Sequence, residues 1–165
     1  MTEIKKLGEN TEERVAMVTE RARGYFKQGL NCAECVMKAF MDVYDTGLPE
    51  EVVALSTGFG AGMGHTRDGV CGAISGAVMA LGTVKGRRDP MAGEDMAQRI
   101  AVLQQEIYPV FGDLVREIQA EHDNVMLCKD LTAPLGDFED KPRRRFCLNL
   151  IGACAGIAAK HADKE

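Results

Sequence analysis

Tryptophan is absent from this sequence, and tyrosine occurs only three times. With so few rings and a net charge of −5, the chain offers neither the basic face nor the stacking platform by which nucleic acid is held. A long apolar run is also missing. The longest uncharged stretch, Gly69 to Val84, falls short of the ~20 apolar residues of a membrane span. It is rich in Gly, Ala and Ser, which suits a buried core helix, so no direct membrane insertion is expected. The first ten residues, Met1 to Asn10, are polar and lack the apolar centre of a secretory signal. These absences lead to the expectation of a soluble, cytoplasmic protein. In that reducing compartment cysteines serve as metal ligands or redox thiols more often than as structural disulfides.

Strand periodicity, internal repeats and linkers are lacking too, and 165 residues suit one domain over 1–165 with a core of its own. The pattern is helical nearly throughout, and the expected fold is an all-α bundle of about five to seven helices with a glycine-rich loop. Thr11 with Glu12 and Glu13 opens the first helix, which runs to Gly29. Asn31 caps a second, whose buried face is Cys35, Val36, Ala39, Phe40 and Val43. Pro49 opens a short third helix through Leu55. Gly58 to Gly69 reads as a loop, and Cys71 to about Val84 as a helix of small residues. From Met91 to about Ala120 the pattern is helical, with Pro109 and Gly112 expected to kink or split it. His122 to Asp140 is irregular, and Pro142 opens a last helix to about Lys160.

Six cysteines stand out against this background: Cys32, Cys35, Cys71, Cys128, Cys147 and Cys154. They are too scattered for a local zinc finger, so any shared site must be assembled by the fold. Cys32 and Cys35 form a C-x-x-C at a helix start, where the dipole lowers the pKa of the first thiol. The βαβ context of a thioredoxin-like pair is missing, and Val36 stands where a haem-attachment motif needs histidine. Cys35 falls among apolar positions. Cys147 and Cys154 share a helix face, but about 10 Å of rise separates them. Two thiolates on one zinc lie within about 4 Å, so these two do not share a single ion. Cys154, in Gly152-Ala153-Cys154-Ala155-Gly156, reads as a small core residue.

The glycine ladder Gly58, Gly60, Gly62 and Gly64 precedes Cys71-Gly72-Ala73-Ile74-Ser75-Gly76. It lacks the strand-turn-helix setting of a dinucleotide fingerprint and the Gly-Lys-Ser/Thr of a P-loop. It is either a tight turn or a stretch of unshielded N–H groups facing an anionic centre such as thiolates or sulfide. Gly72 and Gly76 let a second helix approach closely. His65, inside the ladder segment, is a candidate ligand or proton relay. His122 is a weaker candidate, and His161 falls in a C-terminus expected to fray. The basic run Lys141, Arg143, Arg144, Arg145 lies at a helix N-terminus, where positive charge is unfavourable. It is expected to pair with Asp137, Glu139 and Asp140, or to dock an acidic redox partner.

These residues resemble the C_GCAxxG_C_C family of redox-active proteins, which carry four recurrent cysteines and a Cys-Gly-Ala-x-x-Gly motif. The motif here is Cys71-Gly72-Ala73-Ile74-Ser75-Gly76. The first family cysteine is matched by Asn31-Cys32-Ala33, after Tyr25-Phe26 and Gly29. The last two are matched by Cys128, before Lys129-Asp130-Leu131, and Cys147, before Leu148-Asn149-Leu150. Cys35 and Cys154 fall outside the pattern. A similar domain accompanies an iron–sulfur centre in split-Soret cytochromes, but this chain has no C-x-x-C-H for haem. The resemblance implies a helical, cysteine-ligated centre, iron–sulfur in type, with Cys71, Cys128 and Cys147 as ligands and Cys32 as the fourth or as a nearby reserve thiol. Gly60, Gly62, Gly64 and Gly72 are expected beside it. It implies electron transfer or redox sensing with an unknown redox partner protein, allows a homodimer, and names no substrate. Two alternatives stay open: a metal-free thiol/disulfide oxidoreductase, and a structural zinc site.

Overall fold

The computed structural model describes residues 6–164. Residues 1–5 of the polar N-terminal stretch and Glu165 lie outside them. Among the described residues there are seven α-helices: α1 (Thr11–Lys27), α2 (Cys32–Met41), α3 (Gly72–Lys85), α4 (Met96–Val102), α5 (Tyr108–Ala120), α6 (Cys128–Thr132) and α7 (Lys141–Ala162). The all-α expectation holds, and β structure among these residues is limited to two isolated bridges. None of the helices is long and apolar enough to cross a membrane.

The bundle is built on α7, which packs against α1, α2, α3 and α5. Small residues on α7 and α3 make this possible: Ala155, Ala158, Ala159, Ala73, Ala77 and Ala80 are all buried. Tyr44, just past the end of α2, stacks on Phe40 with ring centroids 4.3 Å apart. Its hydroxyl donates to the Ala159 carbonyl at 3.1 Å, which ties that end of α2 to α7.

Two expected boundaries shift for local reasons. The segment after Pro49 is a 3-10 helix over Glu50–Phe59, longer than the short helix to Leu55 read from the pattern. The stretch before Ala120 is interrupted at a π turn, Leu103–Ile107, where the Tyr108 N–H reaches back to the Leu103 carbonyl. Pro109 has no N–H to give the Gln105 carbonyl, and its ring crowds that oxygen, so the preceding turn widens. Gly112 lies within α5 and breaks nothing.

His161 does not belong to a fraying end. α7 runs on to Ala162, and the His161 ring is 1% exposed, with Nε2 2.8 Å from a Glu117 carboxylate oxygen. Lys160 pairs with the same carboxylate, so a charge cluster between α5 and α7 holds the last turn.

Asp163 closes the other side, receiving Lys6 at 2.7 Å and Arg14 at 2.6 Å. Burial pushes its carboxyl up, but hydrogen bonds from Lys6 and Arg14 outweigh that and hold it below the ordinary carboxylate value. A carboxyl whose folded-state pKa is depressed stabilises the fold above its unfolded pKa, and the gain is lost as pH falls through the folded one. Asp163→Asn is therefore expected to cost on the order of 1 kcal/mol at neutral pH, since water screens part of the pairing. It should cost nothing in acid below the folded pKa, a difference that denaturant titrations at the two pH values will read.

Candidate metal centre

Helix starts bring the cysteines together. Cys32 is the first residue of α2, after Asn31, whose side chain accepts from the Ala33 and Glu34 amides while Glu34 returns the bond to the Asn31 N–H. Cys71 is the N-cap of α3, and Cys128 is the first residue of α6. The approach of α2 to α3 is backbone-close: a Cβ on Gly76 would stand 2.9 Å from the Ala33 carbonyl oxygen. One on Gly72 would overlap the Cys32 sulfur. Glycine at position 72 thus makes room for Cys32 beside Cys71, as the close-approach reading of Gly72 and Gly76 requires. Cys71 and Cys128 are joined by a short antiparallel bridge between Val70 and Leu127. In it the Cys71 N–H donates to Met126 O at 2.8 Å and the Cys128 N–H to Gly69 O at 3.0 Å. Cys147 comes from the second turn of α7.

Cys32, Cys71, Cys128 and Cys147 line one cavity of about 210 Å³, together with the apolar side chains of Phe26, Leu150 and Ile151 and the charged side chain of Arg143. Cys35 and Cys154 do not line it; both sit in the hydrophobic core. The Cys35 thiol points to the Leu30 carbonyl, with 3.5 Å between Sγ and oxygen. Among the described residues, no three or more His, Cys, Asp or Glu side chains are grouped as they would be around a metal ion.

The glycine segment forms one wall, and its backbone is unusual. Ala61, Gly62, Met63, Gly64 and His65 are consecutive left-handed residues, with φ of 50°, 72°, 63°, 58° and 67°. Non-glycine residues pay about 1–2 kcal/mol each for this conformation, which glycines at 62 and 64 avoid. Gly62 is packed as well as left-handed: a Cβ there would stand 2.8 Å from both the Arg67 Cα and the Cys128 Cβ. The Gly60 and Gly64 N–H groups donate within the segment, to Thr57 O at 3.4 Å and Gly58 O at 2.8 Å. The amide that meets a thiol is that of Ala61, which donates to the Cys32 sulfur at 3.4 Å. His65 lines the cavity mouth, exposed, its ring stacked on Phe138 at 4.6 Å. His122 stands away from it, edge-on to Phe146.

Arg143 is the residue that sequence reasoning missed. It does not pair with the acids upstream: Glu139 takes Arg144 at 3.1 Å, and the Asp140 carboxylate accepts the Asp137 N–H at 2.8 Å. Arg143 is instead 2% exposed and lines the thiol cavity. Its guanidinium lies 3.9 Å over the centre of the Phe138 ring. One nitrogen, Nη1, donates to the Gly136 carbonyl at 3.2 Å. Nε and Nη2 make no hydrogen bond to the described residues. The one sequence signal was its position, a cation in the first turn of a helix where the dipole opposes it.

Burial and the neighbouring Cys32 push the Cys71 thiol up to about 12, against the Ala73 and Ile74 amides that favour its thiolate. Cys128 and Cys147 are raised by the same two causes, while the Arg143 guanidinium pulls both down. Burial thus favours the neutral form of Cys71, Cys128 and Cys147. The surrounding dipoles and cation are nevertheless arranged for negative charge: the starts of α2 and α3, the Ala61 amide and the open nitrogens of Arg143. These donors and the Arg143 cation favour negative charge inside the cavity.

A family model described as "Putative redox-active protein (C_GCAxxG_C_C)" matches residues 30–161. The match includes Cys71-Gly72-Ala73-Ile74-Ser75-Gly76, whose Gly72 stands where the Cys32 sulfur needs space. No curated protein and no solved structure compared with the chain matches it.

Proposed function

The chain belongs to the C_GCAxxG_C_C family, and from that premise we propose that its thiol cavity holds an iron–sulfur cluster ligated by Cys32, Cys71, Cys128 and Cys147. The observation that carries this reading is the convergence of four cysteines, from four separate segments, on one apolar cavity that also contains a buried arginine with open N–H groups. Thiolate is the natural ligand of such clusters, and a dry shell protects them. A volume of about 210 Å³ takes a centre of several atoms, given about 30 Å³ for a single water. When bound, the cluster supplies one-electron exchange. The protein supplies the ligands, the amide on Cys32 and the compensating charge. The function is electron transfer or redox sensing in a reducing compartment, with a partner protein as donor or acceptor.

For three of the four cavity thiols the metal-free dithiol reading fares worse on one physical ground. A disulfide is attacked by thiolate, so the reaction slows as a thiol's pKa rises above the ambient pH. Cys71, Cys128 and Cys147 are all pushed up. A metal centre resolves this, because coordination itself removes the proton.

Protein purified without oxygen is expected to be brown and to carry iron and acid-labile sulfide in near-equal amounts. A colourless protein with stoichiometric zinc would replace the cluster by a structural ion. A colourless, metal-free protein that cycles between dithiol and disulfide would replace it by thiol chemistry.

A further inference from the structure

Among the described residues, Arg143 has no carboxylate partner and two nitrogens without a hydrogen bond, and it is buried beside four thiols. An arrangement of this kind is costly in an empty protein, because a buried guanidinium needs its N–H groups filled and its charge answered. Its surroundings hold it in place all the same. The Gly136 carbonyl fixes Nη1, and the Phe138 ring fixes the plane of the fork from one side. Phe138 is in turn backed by His65 and approached by Arg67 at 4.7 Å. The acidic side chains nearest in sequence are engaged elsewhere, Glu139 with Arg144 and Asp140 with the Asp137 amide. What remains for Nε and Nη2 is the cavity itself.

We propose that Arg143 is the charge partner of the cavity's centre, donating N–H groups to sulfur on the Cys128 and Cys147 side and favouring the reduced, more negative state. The proposal rests on the iron–sulfur reading. A cluster with four thiolates is an anion, and each added electron makes it more so. A fixed cation beside it in a low-dielectric pocket therefore stabilises the reduced form more than the oxidised one. N–H donation to the ligand sulfurs acts in the same direction. Arg143 is thus a positioning and tuning residue and not a ligand.

Arg143→Met keeps length and apolar stem but removes charge and donors. In reconstituted protein it is expected to lower the reduction potential by at least tenfold in the ratio of reduced to oxidised form, about 59 mV for one electron. Loss of iron to a chelator should be several-fold faster than in the parent. The metal-free variant should be as stable as the metal-free parent or more stable, since an unanswered buried charge has gone. A merely structural clamp on Phe138 would give another outcome: equal destabilisation of metal-free and loaded forms, with the potential unmoved. That result overturns the proposal. Arg143→Lys keeps the charge without the fork, and its potential should fall between those of the parent and Arg143→Met. If Arg143→Met does not fold, Arg143→Gln replaces it with the same expectation for the potential. Parent protein that takes up no iron and sulfide would overturn the cluster reading, and this proposal with it. Loaded parent and variant that agree in potential and retention would overturn this proposal alone.

Discussion

With the proposed cluster in the cavity, Cys71→Ser is expected to fold as well as the parent and to lose the iron and sulfide that the parent would hold. Cys71 is the N-cap of α3, and serine is among the preferred residues at such a position. Its hydroxyl can accept from the same Ala73 and Ile74 amides that now face the sulfur. As an iron ligand, however, a neutral hydroxyl is a poor substitute for thiolate. Iron and sulfide per chain should fall to background while circular dichroism stays that of the parent. Cys154→Ser should behave in the opposite way. Cys154 is 1% exposed in the core and does not line the cavity, so the new hydroxyl costs about 1–3 kcal/mol of stability and the iron remains. Iron retained in Cys71→Ser, or lost from a folded Cys154→Ser, would show that the ligand set is wrong.

Gly62→Val is expected to be the most destabilising substitution in the glycine segment, at about 3 kcal/mol or more. Two costs combine. Valine is strongly disfavoured at the left-handed φ of 72°, and its Cβ would stand 2.8 Å from the Arg67 Cα and from the Cys128 Cβ. Because the first of those neighbours is backbone, relaxation must move the wall of the cavity and Cys128 with it. The loss should therefore appear in metal-free protein as well as in loaded protein, and the loaded form should also shed metal. Gly64→Ala is the comparison: Gly64 has φ of 58° but open space where a Cβ would go. It should cost only the left-handed term, about 1 kcal/mol. Denaturant midpoints of both variants, with and without metal, test this. A Gly62→Val protein within about 1 kcal/mol of the parent would mean that the segment yields, and that its left-handed turn does not hold Cys128.

The helices were legible because their signals are local. Asn31 as a cap, the apolar spacing of α2, and the small-residue run of α3 each state a helix without reference to the rest of the chain. The demotion of Cys35 and Cys154 followed from apolar neighbours and helical rise, and both lie in the core. The π turn before Pro109 was half legible: proline announced an interruption, but where the backbone would widen depends on the turn that precedes it. His161 was misjudged because its partner, Glu117, lies on another helix.

By itself, the sequence determined the helical class, the cysteines worth grouping and the glycines that would have to lie close to something. Those properties reside in spacing and in the absence of a Cβ. Only the tertiary structure decided that Gly72 faces Cys32, that the amide of Ala61 and not of a glycine meets that thiol, and that Arg143 turns inward. The physical reason is shared by all three. Each depends on which backbone passes at contact distance, and on whether a charge in the first turn of α7 reaches solvent or a cavity. Neither is encoded within the span of one helix.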